Sequence, residues 1–292
     1  MVDQNTPEKV SLFRNDGVPG AEVRVVGDSA RAWSFYSTAF EFVAPGSWLG
    51  DVRHRGATAL LEPGRVLCAG PGEMFAAQRV RRAGSRASLL IEEGWLTEYL
   101  YQAGLRPQRL DLQPVARMSP PLAAALLAVF RAFQADGTKL EVQTSLVEFF
   151  ALAIPELFGG AHAERGETRL PSNVAERIRE RLERDPSESL DLDALAGEVG
   201  LSRFGSLRAF KREYGVPPHA YRMSMRLGLA RSSLRRGAKP ADVAAKLGFC
   251  DQSHLTRLFK LRFGITPGEY VRRGYLGELD SGAEQAAASG YG

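Results

Sequence analysis

Gln252, Ser253, Thr256, Arg257 and Lys260 recur at the three-to-four-residue spacing that puts side chains on one face of a helix, while Leu255, Leu258, Phe259 and Phe263 share the other. The polar set has a definite chemical reach. Gln pairs in bidentate fashion with adenine and Arg with guanine, Thr meets a base edge or a thymine methyl, and Lys meets a phosphate. An ordinary amphipathic helix with a solvated polar face has the same periodicity. What separates the two readings is that the phrase is written twice.

GFCDQSHLTRLFK at 248–260 echoes GLSRFGSLRAFK at 200–211. Phe210, Gly215, Pro218 and Tyr221 match Phe259, Gly264, Pro267 and Tyr270 at an offset of 49, and Ala196 and Gly200 match Ala244 and Gly248 at 48. In the second copy Pro240 suits a first helical turn, Val243, Ala244 and Leu247 share a face, Gly248 breaks the helix, and Asp251 or Ser253 can cap the next. A short helix, a glycine turn and a second helix crossing at a small alanine form a helix-turn-helix. Between the copies, PHAYRMSMRLGLARSSLR (218–235) predicts one helix with Tyr221, Met225, Leu229 and Ala230 inward. At ~1.5 Å per residue such a strut spans ~27 Å, close to the ~34 Å between successive major grooves on one face of DNA. One chain thus carries two reading helices.

The first copy departs from the second in one place: Gly205-Ser206 stands where His254-Leu255 would. Glycine inside a helix costs ~1 kcal/mol, and serine forfeits the burial of a core leucine. Leu207 is then apolar on the reading face, which favours shape or thymine methyls over hydrogen-bond patterns.

GFCDQSHLTRLFKLRFGITPGEY resembles the signature of the AraC/XylS family of bacterial transcription regulators, and the resemblance covers roughly residues 172–273. It implies base or groove contacts from Arg203, Phe204, Leu207 and Arg208 in the first unit. In the second it implies Gln252, Ser253, His254, Thr256 and Arg257. Lys211 and Lys260, the paired ends of the repeated phrase, complete the set. The resemblance also implies double-stranded promoter DNA and RNA polymerase as partners, activation more often than repression, and a homodimer. Its amino-terminal half would be a cupin-like β-barrel with dimerisation helices, responding to a small-molecule effector or a regulatory protein.

The rest of the chain supplies the elements that must hold these helices. Residues 20–112 carry short strand-like runs (AEVRVV, RASLLIEE) punctuated by Gly and Pro, which predicts a barrel or sandwich. LEPGRVLCAGPGEMF, with Pro-Gly at both bends, resembles the turn-rich heart of a cupin. From 120 to 158 the period becomes helical, with stripes Leu122, Leu126, Val129, Phe130, Phe133 and Leu140, Leu146, Phe149, Phe150, Ala153 on either side of ADGTK. The first stripe suits either a partner helix or the chain's own barrel. The fold class is α+β multidomain: a sensor domain over 1–158, a Gly-rich linker over 159–171, a two-unit DNA-binding domain over 172–274 and a low-complexity tail over 275–292. Between residues 172 and 274 stand 20 Lys+Arg against 12 Asp+Glu, a surplus of eight, whereas the remainder carries an acidic surplus of four.

Trp33, Phe35, Tyr36 and Trp48 belong to an aromatic-dense stretch that either fills the barrel core or lines an effector pocket, with Arg24, Arg53 or Arg55 as the anchor for an acidic effector. No cofactor is expected and no metal site, because the four histidines are scattered; His54 reads as a surface or strand histidine. Two distant cysteines exclude a disulfide framework. They also lack the setting of an alkyl-transferring repair enzyme, the rival catalytic reading, so no enzyme is expected. A non-specific architectural DNA binder is the second rival. Without an apolar run of membrane length or a signal pattern, the expected location is cytoplasmic, away from membranes.

Overall fold

The computed structural model describes residues 8–102, 112–158, 173–188, 196–197 and 202–273. The predicted linker and tail lie outside the described residues, as does most of the first helix of the first repeat copy.

The amino-terminal part is sheet-rich. Its strands are β1 (Val10–Phe13), β2 (Ala21–Ser29), β3 (Ser34–Tyr36), β4 (Phe40–Pro45), β5 (Leu49–His54), β6 (Ala57–Leu61), β7 (Arg65–Ala69), β8 (Met74–Arg82), β9 (Gly84–Ile91) and β10 (Val115–Arg117). They pair into a six-stranded sheet ordered β1-β2-β9-β4-β7-β10 and a four-stranded sheet ordered β3-β8-β5-β6. The two Pro-Gly pairs, at 63–64 and 71–72, fall between β6 and β7 and between β7 and β8. Alternation along β4 and β7 divides the core. Phe40, Phe42, Val66 and Cys68 belong to a cluster with the helices, whereas Val43, Leu67 and Ala69 join Phe35, Trp48, Leu61 and Phe75 in a second cluster. Buried on both faces, β4 reads as an almost unbroken apolar run.

Helix α1 (Glu93–Gln102) is followed, after a break, by the hairpin α2 (Pro120–Gln134) and α3 (Lys139–Leu157). Ser119 caps α2, and Thr138 with Glu141 forms a capping box on α3. All five residues of the α2 stripe are buried in the cluster with the six-stranded sheet, so that face is spent on the chain's own sheet. In α3 the stripe holds with one correction: Leu140 is exposed and Val142 takes the inward place, because the helix starts at Lys139 and its phase is set by the cap.

The carboxy-terminal part is helical: α4 (Asn173–Arg184), α5 (Arg203–Tyr214), α6 (Pro218–Arg235), α7 (Pro240–Lys246), α8 (Gln252–Phe263) and α9 (Pro267–Arg273). Helix α6 serves two clusters. Tyr221 and Met225 pack with Ala175, Ile178, Leu182, Phe210 and Tyr214, while Leu227, Ala230 and Leu234 pack with Val243, Ala244, Leu255, Phe259 and Tyr270. Among the described residues no helix is long and apolar enough to cross a membrane.

Candidate nucleic-acid interface

The repeat is physical as well as textual. Ser202 caps α5 by accepting from the Gly205 amide (3.2 Å), and Asp251 caps α8 by accepting from the His254 amide (2.7 Å). Each helix ends on a glycine in the left-handed region, Gly215 at φ 76° and Gly264 at φ 80°, whose amides donate to the carbonyls of Lys211 and Lys260. Phe210 and Phe259 are wholly buried at matched positions.

The predicted reading faces are open to solvent. Phe204, 70% exposed, stands with Arg208 and Lys211 on α5; Gln252, Ser253, Arg257 and Lys260 are exposed on α8. Leu207 and Thr256, equivalent in the two copies, are partly buried. Arg203 opens α5, and its side chain lies outside the described set. His254 turns back on its own turn: its Nδ1 accepts from the Cys250 amide (3.3 Å), and its ring meets Phe249 edge-on. Ser206 fills the core position as expected, and its hydroxyl has no hydrogen-bond partner among the described residues.

The aromatic stretch divides. Trp48 is wholly buried between the sheets, with Trp33 packed against the same cluster. Phe35 and Tyr36 reach the seam between the β-rich and helical parts, and Arg53 donates to the Arg212 carbonyl at the end of α5. His54 is a buried strand histidine, stacked on Phe75 with Nε2 3.1 Å from Glu73 Oε1.

Sequence reasoning missed the seam itself. Glu22 on β2 and Glu41 on β4 are each 1% exposed. Glu22 accepts from Arg14 (2.8 Å) and the Tyr270 hydroxyl (2.8 Å) and lies 3.7 Å from Arg235; Glu41 lies 3.1 Å from Arg24 and 3.6 Å from Arg231. Burial alone would raise the Glu22 carboxyl, but the guanidinium groups of Arg14, Arg235 and Arg231 override it and hold it at about 2. Helix α6 presses on β3 so closely that a Cβ on Gly228 would stand 2.7 Å from the Tyr36 carbonyl. Beside this contact is a small crevice lined by Arg24, Phe35, Tyr36, Glu41, Ser224, Gly228, Arg231, Arg262 and Phe263. Three guanidinium groups face one carboxylate there. Burial, with Arg24, Arg86 and Arg231 nearby and Glu41 opposing, pushes Arg262 down to about 9. The only local signal was the arginine density of α6 and α8, which a solvated surface shares.

A family model described as a helix-turn-helix domain matches residues 195–273. The transposon Tn10 TetD protein of Escherichia coli is 36% identical over 101 residues, 34% of this chain and 72% of that protein. The uncharacterized HTH-type transcriptional regulator YbfI of Bacillus subtilis is 35% identical over 85 residues, 29% of this chain and 31% of that relative, so the chain spans about a third of its length. Among solved structures, unsaturated-fatty-acid-bound ToxT from Vibrio cholerae is 13% identical with a TM-score of 0.43, covering 93% of this chain and 97% of that one. With the repeated phrase, the paired caps, the matching helix-turn-helix model and the TetD relative together, the chain belongs to the AraC/XylS family of transcription regulators.

Proposed function

We propose that the chain is a sequence-specific DNA-binding transcription regulator that reads two adjacent major grooves with α5 and α8. The observation that carries this is the duplication: two helices with matched caps, matched core phenylalanines and solvent-exposed basic outer faces, joined by an 18-residue helix. In this reading Gln252 and Arg257 pair with bases, Arg208 reads from the first unit, and Lys211 and Lys260 meet phosphates. The organisation is 1–158 as sensor and dimerisation domain, 159–171 as linker and 172–274 as reader, with 275–292 as tail. The facing six- and four-stranded sheets support a cupin-like barrel for the sensor. A homodimer beside a promoter, engaging RNA polymerase from the cytoplasm and acting by binding rather than catalysis, completes the proposal.

Control by an effector is supported by the seam. The crevice draws Arg24 from the sheet and Arg231 and Arg262 from the reader, against the single carboxylate of Glu41. A surplus of buried positive charge is stabilised by an anion, so the effector chemistry that fits is a carboxylate or phosphate group presented at the mouth of the crevice, whose interior has room for little more than a water.

The test is selection of genomic DNA fragments by the full-length protein beside an Arg257→Ala variant. The expected result is a two-part motif about one helical turn apart, with the variant losing discrimination of ~1–3 kcal/mol in one part only. Enrichment of nothing by the wild type, in buffer and in cell extract alike, would leave a non-specific binder and overturn the proposal.

A further inference from the structure

Arg226 on α6 is 6% exposed, and its guanidinium is spent on backbone from two separate stretches. Nε donates to the Pro186 carbonyl, Nη2 to that of Ser187 (3.1 Å) and Nη1 to that of Gly248 (2.8 Å). The first two carbonyls belong to the loop that leaves α4 towards the first unit. Asp185 folds that loop by accepting from the Ser187 amide (2.8 Å), the Ser187 hydroxyl (2.6 Å) and the Glu188 amide (3.3 Å), and Arg222 holds the Glu188 carbonyl (2.7 Å). The third carbonyl is the turn of the second unit, four residues before α8 begins. That turn and the loop touch: Gly248 sits at φ 71°, and a Cβ there would stand 2.8 Å from both Cα and O of Ser187.

The two units otherwise have separate cores. Among the described residues their hydrophobic clusters meet only at Leu229, which packs against both. A helix alone is a compliant spacer, since it bends and twists along its length. A planar fork with five donors can fix three carbonyls at once, whereas lysine offers one mobile point charge.

We propose that Arg226 is the positioning residue that sets the distance and rotational phase between the two reading helices, and so the half-site spacing the protein accepts on DNA. This rests on the DNA-reading proposal above. Without the bridge, each helix keeps its cap, its core and its base-reading face, and only their mutual register loosens.

The test measures full-length wild type, R226K and R222K on the selected two-part site and on versions with one base pair removed or added between the halves. One base pair turns the second half by a tenth of a helical turn, and wild type is expected to bind either altered site ~10-fold more weakly. R226K is expected to keep base preference within each half while its spacing penalty falls to ~3-fold or less. R222K, which loses a single exposed contact, is expected to keep the wild-type penalty. Circular dichroism reports folding, and if R226K does not fold, R226Q, with two amide donors, takes its place. Uniformly weaker binding by the variant with the wild-type spacing penalty intact overturns the inference and leaves DNA reading standing. A wild type with no two-part preference overturns both.

Discussion

Glu22 is a strand carboxylate that has exchanged water for Arg14, Arg235 and the hydroxyl of Tyr270. Its folded value of about 2 lies below the ordinary 4.5. A carboxyl depressed on folding contributes stability above its unfolded value and loses it as pH falls towards its folded value. The contribution here is roughly 3 kcal/mol, present at neutral pH and lost between about pH 4.5 and pH 2. Urea unfolding across that range is expected to record the loss. Glu22→Gln, which leaves buried guanidinium groups unpaired, is expected to cost ~3–5 kcal/mol at pH 7 and to flatten the acid limb. An unchanged acid limb in the variant would mean that Glu22 does not carry the effect.

The two reading helices are matched elements set in different surroundings. Gly215 and Gly264 share a left-handed conformation that costs an alanine roughly 1–2 kcal/mol. An added Cβ on Gly215 meets Ala76 and Arg53 side-chain atoms at 3.2 Å, whereas on Gly264 it would stand 2.5 Å from Val10 Cγ2 in β1. Thermal melts are expected to place Gly264→Ala below Gly215→Ala, with both below wild type; equal stabilities would remove β1 from the account. These elements were legible in sequence because their signals are local: a cap, a stripe, a glycine and a proline each act within a few residues. The α6 limits agree with the strut read at 218–235, and ADGTK does separate α2 from α3. The seam was illegible for the opposite reason. In AEVRVV Glu22 shares its phase with Arg24 and reads as facing water, and in FEFVAP Glu41 interrupts an otherwise apolar run; the partners that bury both come from elsewhere in the chain. Arg226, Arg231 and Arg262 likewise read as the solvated side of a helix, since a buried arginine leaves no mark of its partners in the sequence. Trp48 and Phe35 were ambiguous between core and pocket; both are buried in the cluster between the sheets, and Phe35 also edges the seam.

At the scale of the whole molecule, charge binds the two parts. Glu22 and Glu41 come from the sheet, Arg231, Arg235 and Tyr270 from the helices, and the crevice beside them keeps an excess of guanidinium. Inorganic phosphate at the mouth of the crevice is therefore expected to stabilise the full chain against heat, by up to ~2.7 kcal/mol at a hundredfold excess over Kd. Arg262→Gln is expected to abolish the gain while keeping the fold; an equal gain in both proteins would place the anion elsewhere. Helix α6 has no idle side. Tyr221, Met225, Leu227 and Ala230 hold the two reading units, Arg226 ties them, and Ser224, Gly228, Arg231 and Arg235 face the sheets. Under the effector control proposed above, the receiving half of the switch is written inside the reader's own stretch of sequence. A hybrid that fuses this amino-terminal part to a foreign reader within 159–171 would inherit a transmitter without its receiver. Grafting those four sheet-facing residues onto the foreign connecting helix is what should restore communication.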